Sequence, residues 1–166
     1  MRIACSLGSL LSVEEVLQCT QIISDTKIDS IWIPETWGME NFSMLGAVAN
    51  NTNTQKIGSS IINIYSRSPS TIAMGSATID TLSNGRLILG LGTSSVPIVE
   101  DFHGEKFENP VQRMREYVEI IRLSLTKKQI NYSGKIFNLK NFTLLIDPKR
   151  KSIPIYLAAI NEKMVN

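Results

Sequence analysis

A strand that is apolar at consecutive positions has no face to offer water, so a chain carrying one must bury it between two layers. Residues 86–91 read RLILGL, and every position after the arginine is apolar or glycine. Strands with one wet face alternate in polarity. Strands covered on both faces run continuously apolar, and in parallel sheets helices supply the cover. Parallel neighbours also need long, usually helical, crossovers.

The chain supplies such crossovers. RIACSL (2–7) reads as a first strand. Ser12-Val13-Glu14-Glu15 is a capping box, with Ser12 as N-cap and Glu15 reaching back to it. Val13, Val16, Leu17 and Ile23 follow at helical spacing. DSIWIPE (29–35) is β-branched and aromatic and is stopped by Pro34. NFSMLGAVANN (41–51) suits a helix, and KIGSSIINIY (56–65) a third strand whose small and polar residues invite a bulge. Ser68-Pro69 opens another helix with proline at its first position. That helix runs to Ser83-Asn84-Gly85, where Gly85 can take the left-handed conformation. Its face of Ile72, Ser76, Ile79 and Ser83 is small enough for close packing on a sheet. RLILGL is the fourth strand. Asn109-Pro110 opens the clearest helix, with Val111, Met114, Val118, Ile121 and Leu125 on one stripe. INYSGKIFNL (130–139) reads as a small hairpin turning at Ser133-Gly134, and IPIYLAA (153–159) as a fifth strand. AAINEKMVN, at the end, reads as the last of that strand and the first turn of a helix.

The order is β-α-β-α-β-α-β-α-hairpin-β. The first four strands begin roughly every 28 residues, the pitch of a βα unit, which implies parallel strands with right-handed crossovers. No repeat, low-complexity tract or linker interrupts it. The expected fold class is α/β. A (β/α)8 barrel typically takes ~250 residues or more. Residues 1–166 are therefore expected to hold its amino-terminal half, with the hairpin inserted before strand five and the carboxyl-terminal portion absent.

Charge and composition narrow the partners. A formal charge of +2 gives no electrostatic case for nucleic acid or an acidic membrane. No apolar run approaches the ~20 residues that span a bilayer, and no signal-peptide pattern follows Met1-Arg2. Cys5 and Cys19 lack CxxC spacing, which argues against a disulfide framework or a zinc site and fits a reducing cytoplasm.

In parallel α/β folds ligands bind at the carboxyl ends of strands. Those ends carry Ser6-Leu7-Gly8, Glu35-Thr36-Trp37-Gly38, Asn63-Ile64-Tyr65-Ser66-Arg67 and Gly92-Thr93-Ser94-Ser95. They contain no metal cluster and no nucleophile–histidine pair. Hydroxyls, an amide, a carboxylate and rings suit a flat, polar-edged organic ligand and cofactor chemistry. GLGTSS is neither a dinucleotide fingerprint nor a Walker loop. Other readings stand beside these. Gly90 and Gly92 serve either a ligand or close strand packing. Glu35 serves the mouth or caps the next helix, and Trp32 belongs to the core. His103, in the polar loop EDFHGEKFE, reads as structural or exposed. Arg67 and Arg86 read as surface ion pairs or anion clamps.

DSIWIPE, IINIYSRSP, TIDTLSNGRLILGLGTSS, HGEKFENPVQRMREYVEIIR and IPIYLAA resemble, in this order, segments of the bacterial-luciferase-like superfamily. The resemblance is strongest to the branch that uses the deazaflavin coenzyme F420, which includes methylenetetrahydromethanopterin reductases. It implies a (β/α)8 barrel with the coenzyme ring at the carboxyl end and hydride transfer to or from a small organic or pterin-type substrate. It also implies a strand-three bulge with a non-prolyl cis peptide, matching Ser60–Ile61 here. By position Glu35 matches an acidic residue near the coenzyme. Thr36 stands where some dehydrogenases have a catalytic histidine, and Ser95 where some members have an acid. The implied coenzyme contacts are Glu35, Thr36, Ser60, Ile61, Asn63, Gly92, Thr93 and Ser94. No catalytic residue is assigned. Strand four is expected to fill the barrel interior with branched side chains, and Glu35 to serve coenzyme binding rather than folding.

The leading reading is a deazaflavin-dependent oxidoreductase, homo-oligomeric in its full-length form. The first alternative is a luciferase-like monooxygenase using flavin mononucleotide (FMN). The second, of another class, is a non-catalytic remnant that binds or dimerises. The reading frame after Asn166 separates these. The five-strand portion is expected to leave open edges at strands one and five, and so not to be a self-sufficient enzyme.

Overall fold

The computed structural model describes residues 1–8, 10–126 and 128–159 of the 166. The helical turn expected after Ala159 lies outside the described residues. One parallel sheet runs β1 (Ala4–Ser6), β2 (Ser30–Ile33), β3 (Lys56–Ser59) and β5 (Leu87–Gly92). Strand β4 (Ile62–Asn63) continues β3 and pairs with the end of β5, and β8 (Ile155–Leu157) pairs with β5 on its other side. The expected third strand is thus two pieces, interrupted at Ser60–Ile61, whose peptide bond is cis. Strands one and five are shorter than expected, although single backbone bonds continue past their ends, from the Leu7 amide to the Trp32 carbonyl (3.0 Å) and from the Ala158 amide to the Leu91 carbonyl (2.9 Å). Strands β1 and β8 form the two edges among the described residues.

Helices α1 (Val13–Ser24), α2 (Asn41–Asn51), α3 (Pro69–Leu82) and α4 (Pro110–Ser124) connect the strands. Their starts agree with the sequence. The Ser12–Glu15 capping box is formed in both directions, and Ser68 caps α3 with Pro69 in the first turn. Glu40 caps α2 through the amides of Phe42 and Ser43 (3.2 and 2.7 Å). Gly85 adopts φ +84° after α3, as expected. Arg86 is neither a surface ion pair nor an anion clamp. Its guanidinium donates to the carbonyls of Ala49, Thr52, Gln55 and Ser83 and to the Thr52 hydroxyl, at 2.6–2.8 Å. It therefore ties off the end of α2, whose last carbonyls have no helical partner. Burial lowers its pKa.

Register separates two faces. Ile31, Ile33, Ile57, Leu87, Leu89 and Leu91 are fully buried and pack with Val16, Leu45, Val48, Ile72 and Ile79 of the helices. The opposite face carries Ala4, Ser30, Trp32, Lys56, Gly58, Ile88, Gly90 and Tyr156, paired across the ladder. The expectation that strand four fills the interior with branched side chains is corrected here. Its leucines point to the helices, and its inner positions are Ile88, Gly90 and Gly92. Each buried leucine or isoleucine is worth about 1.5–3 kcal/mol, so the helix-covered face is where the sheet is held. Trp32 lies on the inner face, half-buried, with its ring 5.8 Å from that of Tyr156 and its Nε1 donating to Ser30 Oγ (2.9 Å).

Two devices fasten the chain beyond α4. The hairpin of β6 (Ile130–Ser133) and β7 (Asn138–Phe142) is antiparallel and longer than expected. Glu116, 1% exposed, accepts the amides of Lys135, Ile136 and Phe137 and the Gln112 amide group. Asp80, fully buried in α3, pairs with Arg150 in the segment before β8.

Candidate functional site

At the carboxyl end of the sheet, β3 breaks and β5 accommodates the break. Ser59 Oγ donates to the Gly90 carbonyl and accepts the Gly90 amide, both at 2.8 Å. A Cβ on Gly90 would lie 1.9 Å from the Ser59 carbonyl oxygen, and one on Gly92 would lie 2.6 Å from Ile61 Cδ1. Close strand packing against backbone therefore requires Gly90, the plainer of the two readings of GLG, whereas at Gly92 the neighbour is the tip of the Ile61 side chain. Asn63 pairs with Gly92 in the ladder. Its Oδ1 accepts the Tyr65 amide (2.9 Å), while its Nδ2 is buried without a hydrogen-bond partner. An unmet buried donor costs on the order of 1–3 kcal/mol, so it calls for an acceptor. Thr93 and Ser94 come after Gly92 half-buried, and Ser94 has φ +57°.

A second group forms around Arg67, just past β4. Its Nη1 and Nη2 donate to the two oxygens of Glu35 at 2.8 and 2.6 Å, and Nη2 also pairs with Glu40. Glu35 accepts the Asn41 amide as well (3.0 Å), so it both faces the mouth and caps the next helix. The hydrogen bond that Arg67 donates to Glu35, opposed by burial, raises the Arg67 pKa. Burial pushes the Glu40 carboxyl up, but the Ser43 and Phe42 bonds and the Arg67 charge together hold it below its ordinary value. These groups border a cavity of about 280 Å³ with Thr36, Trp37, Ser66, Phe102 and His103.

The sequence-derived residues thus fall into two clusters. Ser60, Ile61, Asn63 and Gly92, with Thr93 and Ser94 next to them, lie at the strand break. Glu35 and Thr36 line the cavity. Ser66 joins the clusters, donating to the Asn63 carbonyl (2.8 Å) and accepting from Arg67 Nη1 (3.0 Å). Of the two roles open to Arg67, the structure selects the ion pair. Its partner is legible in principle, because Glu35 and Arg67 close neighbouring strands of a parallel sheet.

Other members escape a reading of the sequence. Arg113 stacks between Tyr65 and Phe137, 4.4 and 5.2 Å from the ring centroids. Tyr117 donates its hydroxyl to the Arg67 carbonyl, and burial raises its pKa to about 12. They come from α4 and the hairpin, and no local spacing links them to Arg67. A larger cavity, about 590 Å³, lies at the amino end between Arg2, Asp29, Trp32, Lys56 and Tyr156. It is the uncovered inner face of the sheet, away from the carboxyl-end groups. Among the described residues no group of acidic, histidine or cysteine side chains could hold a metal ion. No helix there is long and apolar enough to cross a membrane.

The family model for luciferase-like monooxygenases matches residues 1–166. The chain belongs to this family. It is 37% identical over 146 residues to 5,10-methylenetetrahydromethanopterin reductase of Archaeoglobus fulgidus, covering 87% of this chain and 43% of that protein. It is 29% identical over 145 residues to an F420-dependent glucose-6-phosphate dehydrogenase of Amycolatopsis mediterranei, covering 80% and 43%. The coenzyme F420-dependent tetrahydromethanopterin reductase of Methanopyrus kandleri superposes with a TM-score of 0.89 at 23% identity, over 99% of this chain and 52% of that one. The half-barrel fold is thereby established. The luciferase-like chain spans about half the length of the curated relatives it matches.

Proposed function

We propose that this chain carries the coenzyme-facing half of an oxidoreductase that moves a hydride between the deazaflavin coenzyme F420 and a small organic substrate. The observation that supports it best is the unmet Asn63 donor, buried beside Gly92 and Ile61 at the carboxyl end of the sheet. A ring with polar edges would give that donor its acceptor. The coenzyme, when bound, supplies the hydride chemistry. Ser60 and Ile61 would form the wall behind it, and Thr93 and Ser94 would offer hydroxyls and backbone at its edge. Glu35 and Arg67 hold the two strand ends in register. Relatives named for the coenzyme support the choice of deazaflavin over flavin. Free Cys5 and Cys19 agree with a cytoplasmic setting, and a homo-oligomeric full-length form belongs to the same reading.

The test is binding, read as absorbance of the purified chain at ~420 nm with deazaflavin and ~450 nm with flavin. Retention of the deazaflavin, lost in Asn63→Ala, is the expected result. Retention of FMN in its place would overturn the coenzyme assignment. Binding of neither would remove this chain from the coenzyme site.

A further inference from the structure

The β6–β7 hairpin is inserted between α4 and β8, and its Phe137 ring is linked by contacts to the wall that carries Asn63. The link nearest the wall is a hydrogen bond. The Tyr65 amide donates to Asn63 Oδ1 (2.9 Å), and a carboxamide whose oxygen is engaged turns its Nδ2 donor the other way. The place of Tyr65 therefore sets the direction of the buried donor that lacks a partner.

Tyr65 is held at both its ring and its hydroxyl. The ring stacks on Phe107 with centroids 5.3 Å apart, and the hydroxyl donates to the Glu108 carbonyl (2.9 Å). The Arg113 guanidinium lies over the same ring, 4.4 Å from its centroid. Arg113 Nε is buried without a hydrogen-bond partner, so a second ring face locates the group, that of Phe137 at 5.2 Å. Phe137 also meets the Tyr117 ring edge-on, with centroids 5.1 Å apart. Tyr117 stands one turn after Arg113 on α4 and donates its hydroxyl to the Arg67 carbonyl. One hairpin ring thus fixes both α4 side chains that hold Tyr65 and Arg67. Ser66, between them, donates back to the Asn63 carbonyl (2.8 Å). The hairpin end is fastened too, since the Phe137 amide donates to Glu116 Oε2 (2.9 Å).

Filling space does not call for this set. A leucine would fill the gap between Tyr65 and Phe137 without burying an unpaired nitrogen. A planar guanidinium, stacked face-on, fixes the ring plane of its neighbour as an aliphatic chain does not.

We propose that Phe137 and Arg113 are positioning residues for coenzyme binding. Acting through Tyr65, they hold the Asn63 carboxamide with its donor turned to the coenzyme ring. The inference rests on reading Asn63 as the coenzyme's donor, and it gives the hairpin a part in binding that this reading does not contain.

The test reads Asn63 itself, in the whole chain without coenzyme. Its side-chain amide gives one pair of proton resonances, assigned as the pair that Asn63→Ala removes. Phe137→Leu keeps an apolar side chain in the hairpin but loses the ring face. Arg113→Lys keeps the charge but loses the plane that stacks. Both are expected to move the Asn63 pair. Both should also weaken deazaflavin binding, titrated by absorbance, by roughly fivefold, against roughly tenfold for Asn63→Ala. Tyr132→Phe is the control. It cuts the bond to Glu119 (2.6 Å) that ties the same hairpin to the same helix outside the stack, and should change neither readout. Near-ultraviolet circular dichroism checks that every variant folds. An Asn63 pair unmoved in both Phe137→Leu and Arg113→Lys overturns the proposal. A Tyr132→Phe protein that moves it as far does so too, because hairpin stability alone would then explain the effect. Deazaflavin retained by Asn63→Ala, with the Asn63 pair moved in the stack variants, sinks the coenzyme reading alone. Deazaflavin lost in Asn63→Ala but bound at full affinity by both stack variants sinks the positioning role alone.

Discussion

Asp80–Arg150 and Glu35–Arg67 are both carboxylate–guanidinium pairs, one at each end of the strands. Asp80 is fully buried and receives the Arg150 backbone amide and Nε at 3.1 Å and Nη2 at 2.5 Å. Arg150 Nη2 also reaches the Leu87 carbonyl (2.6 Å), so the amino-end cluster is closed on itself. At the carboxyl end, Glu35 and Arg67 are 13% and 16% exposed, a second carboxylate is attached, and Asn63 Nδ2 nearby has no partner. The contrast matches the division of labour in parallel barrels. Groups at the amino end fix the fold, and groups at the carboxyl end keep hydrogen-bonding capacity for a ligand.

Removing Asp80 takes the acceptor from the Arg150 amide and guanidinium, and because the Arg150 side chain is one-third exposed the stranded charge is partly solvated, for a cost of about 2–4 kcal/mol. Asp80→Ala is therefore the first of the two largest effects expected, read by urea denaturation. Folded Asp80→Ala protein should still bind coenzyme. A loss below about 1 kcal/mol would mean that the amino-end cluster is no anchor, and the contrast would fail.

Next comes the hairpin clasp. Glu116→Ala strands three backbone amides and should cost about 2–4 kcal/mol. Hydrogen exchange at Lys135, Ile136 and Phe137 should rise before that of the sheet. The Glu116 carboxyl is also pH-sensitive. Burial raises its pKa, but the bonds from Gln112, Phe137, Ile136 and Lys135 outweigh that and lower it. Because the folded value lies below the unfolded one, its contribution is complete above the ordinary carboxylate value. It is lost as pH falls through the lowered one. Protection of those amides should decline in acid over that window. Protection that is constant down to full acid unfolding would assign the clasp to packing alone.

A smaller effect belongs to the mouth. Glu35→Gln weakens two bonds from Arg67 and should cost about 1–2 kcal/mol of stability together with coenzyme affinity. The geometry thus gives Glu35 a folding role, against the expectation of binding alone. An unchanged melting temperature would return it to a purely ligand-facing role.

Asn63→Ala should be the mildest for stability, about 1 kcal/mol or less, because only the Tyr65 amide loses a partner. It should nonetheless weaken deazaflavin binding by roughly tenfold, the loss of one good hydrogen bond. Stability falling while affinity holds would place the carboxamide with the anchors.

Several of these features are legible in the sequence because they are local. Ser12, Ser68 and Pro69 announce helix starts through a few adjacent bonds, and Gly85 announces a stop. RLILGL reports burial on both faces through composition alone. Arg86 defeats such a reading for the opposite reason. Most of its acceptors, at Ala49, Thr52 and Gln55, lie more than thirty positions away, and nothing near it points to the end of α2. Arg113 and Tyr117 escape it likewise, since their partners come from separate βα units and the hairpin.

By itself, then, the sequence determined the parallel βα order, the helix boundaries and the polar character of the strands' carboxyl ends. Each comes from short-range sterics, capping and burial periodicity. Tertiary structure alone decided which face of strand four looks inward, because that depends on the register against Gly58 and Tyr156. It also decided that Gly90 and Gly92 make room for the Ser59 carbonyl and Ile61. It brought His103 from a polar loop to the cavity of Thr36 and Arg67. Those outcomes depend on contacts between distant segments, whose distances are fixed only when the sheet has closed its ladders.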